Sequence, residues 1–143
     1  MGALLRLLSR PAVVRGAQLV IGIVFVVAGL AKVGSLGAFA GQIHNFRLIP
    51  IWSENVLAVT LPWIELLAGV SLILGVERRA GAWIVAVLMA GFTLGVAQAW
   101  MRGLDIECGC FGTGDATRVG LRKLVENVGL TTLALVALIR PSD

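Results

Sequence analysis

The sequence predicts an all-α fold, an integral membrane four-helix transmembrane bundle, on three observations. Apolar residues fill 58% of 143 positions and charged residues only 14%, against about 25% charge in an ordinary soluble domain. Mean hydropathy is +0.94. The apolar residues also gather into runs of roughly 20, the length that crosses about 30 Å of hydrocarbon. A soluble chain this short could not hide that much apolar surface.

The first run covers about Gly16–Leu36 and is broken only by Gln18 and Lys32. The second, about Val56–Val76, holds one charge, Glu65, and the third, Ala80–Met101, holds none. At 1.5 Å per residue each is long enough to span. The fourth is the weakest. Asn127–Ile139 reaches spanning length only by starting near Leu121 or Leu124, which puts Arg122, Lys123 and Glu126 in its first turns. Long basic side chains there can snorkel to the interface. All four spans make one domain covering residues 1–143.

The connections are uneven. Gly75–Arg79 is a tight turn that makes the second and third spans antiparallel neighbours. Gly37–Asn55 and Arg102–Gly120 are longer and leave the same face. Ahead of the first span, Arg6, Arg10 and Arg15 imitate a secretory leader, with small residues at Gly29–Ala31. The apolar run continues past them and three more follow, which argues against cleavage.

Lysine and arginine are split evenly. Arg6, Arg10, Arg15, Arg78, Arg79 and Arg140 fall on one face; Lys32, Arg47, Arg102, Arg118, Arg122 and Lys123 fall on the other. The amino-terminal cluster and the short Arg-dense turn decide the orientation: both termini cytoplasmic, both long loops outside. The formal charge of +4 sits beside helix ends with no basic patch among exposed aromatics, so the partner it implies is the lipid bilayer and no nucleic acid.

The most specific local motif is Cys108-Gly109-Cys110-Phe111-Gly112, which holds the only two cysteines. Alpha carbons two residues apart come within disulfide reach where a glycine relaxes the backbone. As a staple the pair is physically poor, because so small a ring removes little unfolded-state entropy. Small strained disulfides exchange readily, and the outer face is the oxidising side. Three readings stand: a redox pair, an inert disulfide, or part of a metal site. A closed zinc site needs four ligands, and with one histidine, His44, it would need carboxylates such as Asp105 and Glu107 or a partner chain.

Glu65 is the second candidate. A carboxylate inside a span is costly unless neutral, paired or facing water. Lys32 is within reach if the first two spans pack together. The pair then serves as a structural tie, or Glu65 takes a role in proton or quinone chemistry. Pro62 and Trp63 would kink and anchor the helix and open space beside Glu65. His44 is a lone loop histidine, interfacial or a proton shuttle. Gly91-x-x-x-Gly95 fits close helix packing.

Taken together, several of these segments resemble the DoxX/MauE-like membrane protein family. The segments are Phe25-x-x-Ala28-Gly29-Leu30-Ala31-Lys32, the stretch from Phe39 to Pro50, Leu61-Pro62-Trp63-Ile64-Glu65-Leu66 with Gly69, and Asp105-Ile106-Glu107-Cys108-Gly109-Cys110-Phe111-Gly112. The last resembles the methylamine-utilisation MauE branch in particular, and the resemblance covers residues 13–139. It implies a four-helix protein of the bacterial cytoplasmic (inner) membrane engaged in thiol redox work. It also implies a thioredoxin-like or other extracytoplasmic thiol protein as partner, and a role in maturing a disulfide-rich exported dehydrogenase.

The expectation is therefore a thiol–disulfide oxidoreductase with Cys108 and Cys110 as attacking and resolving sulfurs, and a quinone near Glu65 as a candidate cofactor. Two rivals belong to other classes. One is a non-catalytic anchor or assembly subunit whose cysteines stay oxidised; the other is a small-molecule carrier lined by Glu65 and Lys32.

Overall fold

The computed structural model describes residues 1–47, 49–106 and 120–139. Its elements are all helices: α1 (Gly2–Leu8), α2 (Pro11–Val33), α3 (Leu36–Phe46), α4 (Ile51–Leu74), α5 (Arg78–Met101) and α6 (Leu121–Leu138). Three of them, α2, α4 and α5, are long and apolar enough to cross a membrane. Their outward faces are apolar at helical spacing, with Val20, Ile23, Val27 and Leu30 on α2 and Val59, Trp63, Leu67, Val70 and Leu74 on α4. A contiguous apolar exterior of this kind is a surface for lipid. The chain is a multi-pass membrane protein.

Local chemistry sets the helix ends. Pro11 opens α2 at a position where its missing N–H costs nothing and its fixed φ suits the helix. Gly75 closes α4 at φ +78°, the left-handed cap that glycine adopts without penalty. The turn to α5 is as short as expected, and Ser71 Oγ donates to the carbonyls of Val76 and Glu77 within it. Arg15, read in the sequence only as topological charge, donates to Leu72 O and Ile73 O. It thereby satisfies carbonyls that the end of α4 leaves without intrahelical partners.

The closest helix contact is between α2 and α4, and glycine makes it. A Cβ on Gly69 would stand 2.7 Å from Gly22 O, and one on Gly29 would stand 2.9 Å from Pro62 O. The backbones touch because neither carries a side chain there. Gly91 and Gly95, expected to mediate close packing, do not: their Cβ positions have nothing within 4 Å.

The fourth apolar run folds as α6, antiparallel to α5 and packed on α2. Thr93 and Thr131 hydrogen bond at 2.9 Å between α5 and α6, and Gln18 Nε2 donates to Ala137 O at 3.1 Å. Lys123 departs from the snorkelling expectation: it is 1% exposed and bonded to Glu126 Oε1 at 3.3 Å. The register of α6 turns Lys123 and Asn127 inward together, one helical turn apart. Arg122 is exposed. The long first connection also holds structure, since α3 lies within it and packs Phe39 against Ala58 and Leu61 of α4.

Candidate functional site

Lys32 and Glu65 meet inside the bundle. Side chains on a helix lean toward its amino terminus. Lys32 therefore leans back along α2 while Glu65 leans along the antiparallel α4, and the two converge. Lys32 Nζ donates to both carboxylate oxygens, at 2.7 and 3.0 Å. Both side chains are 0% exposed. Glu65 lies about 21 Å along α4 from Ile51 at 1.5 Å per residue, far beyond the reach of its own side chain to that end.

Aromatic rings enclose the ammonium. Lys32 Nζ stands 5.1 Å from the ring centroids of Phe39 and of Phe92, close enough for the ring faces to attract the charge. Phe39 comes from α3, so this short helix roofs the pair. Two further contacts hold α3 down. His44 Nδ1 is 3.0 Å from Glu54 Oε1, and Arg102 Nη1 donates to Phe46 O at 3.2 Å. His44 is thus a tie between α3 and α4, well away from Glu65.

Next to the pair is a small cavity of about 10 Å³, bounded by Lys32, Glu65, Phe92 and Asn127 among others. That is room for about one water molecule. Asn127 is 0% exposed, and neither of its amide atoms has a hydrogen-bond partner among the described residues. Buried amides of this kind are exceptional and mark places where a polar molecule fits. Pro62 does not break α4, which runs on as one helix. Trp63 faces outward at mid-helix instead of anchoring an end.

Cys108 and Cys110 lie outside the described residues, as does Glu107. The helices that flank them are described. The carboxyl end of α5, the amino end of α6, the carboxyl end of α2 and the amino end of α4 share one end of the bundle, as the α2–α4, α2–α6 and α5–α6 contacts require. Sequence reading missed Asn127 and Phe92 as members of the site. Asn127 had a signal: Lys123, Asn127 and Thr131 recur at four-residue spacing in an apolar helix, which marks an inward polar stripe. Phe92 had none.

A multi-pass helical membrane protein with an ion pair sealed between two glycine-packed helices is the class that this fold and site define. Comparison with known proteins narrows it. The chain belongs to the MauE family: the family described as methylamine utilisation protein MauE matches residues 10–140. It is 32% identical over 129 residues to the methylamine utilization protein MauE of Paracoccus denitrificans, covering 90% of this chain and 69% of that one. It is 31% identical over 132 residues to the protein of that name from Methylorubrum extorquens, covering 92% and 71%. The relative from Methylophilus methylotrophus is 28% identical over 131 residues, covering 90% and 69%. No solved structure matches.

Proposed function

We infer that this chain is a four-span protein of the bacterial cytoplasmic membrane that exchanges disulfides with an exported thiol protein through Cys108 and Cys110, in support of methylamine utilisation. One observation carries the reading. The only two cysteines stand two residues apart, in the segment joining two helices that both supply residues around the buried Lys32–Glu65 pair.

The exchange balances as follows. One thiolate attacks a sulfur of the partner's disulfide, forming a mixed disulfide and releasing the partner's other thiolate, which takes up a proton. The second cysteine loses its proton and attacks the mixed bond. The pair leaves as a disulfide and the partner as a dithiol, with two electrons and two protons moved. The reverse direction runs through the same intermediate, and a membrane quinone or quinol returns the pair to its starting state. In this reading Glu65 handles a proton on the membrane side. The partner is a thioredoxin-like or similar extracytoplasmic thiol protein.

Two features support the fourth span and the orientation. The outward side of α6 is apolar at Leu121, Val125, Val128 and Leu135, while its polar stripe faces the bundle. Its 18 residues rise about 27 Å. Arg6, Arg10, Arg78 and Arg79 gather at the opposite end from the cysteine-bearing segment, the side that stays cytoplasmic.

The test is capture. Cys108→Ser or Cys110→Ser removes the resolving sulfur, so the mixed disulfide with the partner accumulates and appears as a thiol-sensitive band on non-reducing gels. The double variant loses function with little change in melting, because so small a ring stabilises little. No adduct from either single variant, together with full function in the double one, sinks this reading. The full burial of the ion pair favours one alternative, a non-catalytic anchor whose cysteines stay permanently oxidised. Thiol trapping in intact cells separates the two: a cycling pair means exchange.

A further inference from the structure

The short helix α1 has no buried residue. Leu4 and Leu5 are each 58% exposed and Leu7 48%, and Arg6 is exposed as well. At 3.6 residues per turn Leu4, Leu5 and Leu8 share one face, and Gly2 and Arg6 share the opposite one. Leucines left uncovered on a helix joined directly to a membrane span fit a helix lying in the interface plane. Its leucines then meet the acyl boundary and its arginine meets the headgroups.

The depth agrees. Arg15 donates to the carbonyls of Leu72 and Ile73, so its level marks the end of the α4 span. Arg10 stands roughly 7 Å further out along α2 at 1.5 Å per residue, in a headgroup layer about 5–7 Å thick on each side of the hydrocarbon. There the break between α1 and α2 leaves an open recess of about 590 Å³, lined by Gly2, Ala3, Arg6, Leu7 and Arg10. Among the described residues neither guanidinium has a carboxylate partner. The chain holds no Asp or Glu before Glu54. Arg78 adds charge at the same end, since a Cβ on Gly75 would stand 3.7 Å from Arg15 Nη2 and 3.8 Å from Arg78 Cδ. Glu77 is the acid of that turn, and Arg78 and Arg79 beside it in the chain outnumber it.

We propose that the elbow between α1 and α2 binds the phosphodiester headgroup of an anionic phospholipid, with Arg6 and Arg10 as its ligands. A guanidinium presents a planar fork of donors that matches phosphate oxygens, and two of them line one recess. Leu4 and Leu5 lie against the acyl chains of the same leaflet. A zwitterionic lipid fits worse. Its ammonium would enter a region crowded with arginine, and the recess offers it no carboxylate. The site lies at the opposite end of the bundle from the segment joining α5 and α6, and binding there is independent of the thiol chemistry.

The experiment titrates the full chain in detergent micelles with phosphatidylglycerol or phosphatidylcholine and resolves each bound lipid by native mass spectrometry. A basic residue near an anionic lipid surface is worth about a fivefold preference. The parent should therefore bind its first phosphatidylglycerol roughly twentyfold tighter than phosphatidylcholine. Arg6→Gln and Arg10→Gln should each remove about fivefold of that preference, and the double variant should abolish it with the melting temperature held. Where the double variant fails to accumulate, Arg6→Gln alone serves, because α1 buries nothing. Arg78→Gln/Arg79→Gln should keep most of the preference, and millimolar glycerol phosphate should leave the lipid in place. Equal binding of the two lipids by the parent overturns the proposal. So does an unchanged preference in the Arg6 and Arg10 variants. An equal loss in the Arg78 and Arg79 variant also overturns it by assigning the preference to diffuse charge, as does displacement by glycerol phosphate, which would assign the recess to a soluble phosphate compound.

Discussion

Truncating one member of the Lys32–Glu65 pair should be among the most damaging single changes in this chain. In Lys32→Met, the carboxylate loses both hydrogen bonds, at 2.7 and 3.0 Å, and it has no exposed surface through which water could replace them. Breaking one side of a buried pair costs about 3–5 kcal/mol. Each kcal/mol shifts melting by roughly 2–4 °C in soluble domains of about this size, so the midpoint should fall by roughly 6–20 °C. Glu65→Leu should cost a similar amount by stranding the ammonium. The double variant Lys32→Met/Glu65→Leu removes both desolvation penalties and should return to within about 1–2 kcal/mol of the parent, since apolar replacements of whole buried pairs are often neutral. Thermal unfolding in detergent, followed by loss of monodisperse protein, measures all four corners of the cycle. Single variants that melt within about 3 °C of the parent, or a double variant as damaged as the sum of the singles, would show that the pair is not coupled as the geometry requires. Activity then divides structure from chemistry. Glu65→Gln keeps the shape, so a stable Gln variant without activity assigns Glu65 to proton handling, and an active one leaves it as a tie.

Four further outcomes follow from the packing and the distribution of charge. Gly69→Ala should destabilise by about 1–3 kcal/mol through overpacking, because the new methyl would meet Gly22 O at 2.7 Å and Val26 Cγ2 at 2.8 Å. Gly95→Ala meets nothing within 4 Å and should stabilise by roughly 0.5–1 kcal/mol; side-by-side melting curves check the opposite signs. Arg15→Gln withdraws the guanidinium from Leu72 O and Ile73 O and should cost about 1.5–3 kcal/mol, the range for charged hydrogen bonds, read by the same melts. A carboxyl-terminal fusion to a reporter active only outside the cytoplasm should stay dark, and a bright fusion would reverse the orientation of both loops.

Much of this architecture was legible because a bilayer imposes a length and a composition on anything that crosses it. Glu65 stood out for the same reason: a lone carboxylate in an apolar run must have company, and Lys32 was the charge within reach. What stayed hidden depends on rotation about the helix axes. Composition lowers the apparent apolarity of α6, yet Lys123, Asn127 and Thr131 share one inward-turned face while Arg122 and Glu126 stay outside, and only packing shows what that stripe meets. The glycines show the same limit. Gly22, Gly29 and Gly69 carry the tight contact while Gly91-x-x-x-Gly95, the more conspicuous motif, faces open space, because spacing fixes a shared face without fixing its neighbour. α3 was read as loop since the stretch from residue 37 to 55 is too short and mixed to span, and an 11-residue helix lying on others needs no apolar run.

The two sides of the site are fastened differently. Between α2 and α4 the backbones touch through glycine, and an ion pair and an arginine cap cross the same seam. Phe92 and Asn127, which close the cavity, ride on α5 and α6, a pair tied to each other by the threonine bond. A slide of that second pair along the first would break the Gln18–Ala137 bond between α2 and α6 and loosen the packing of Gly81 on Ala68, yet it would leave every Lys32–Glu65 bond unbroken. At the site it would change only what surrounds them: one ring face, one amide and the few cubic ångströms between. The charge pair is in this sense a stator, and a change of surroundings at the site needs no charge to be parted inside the membrane.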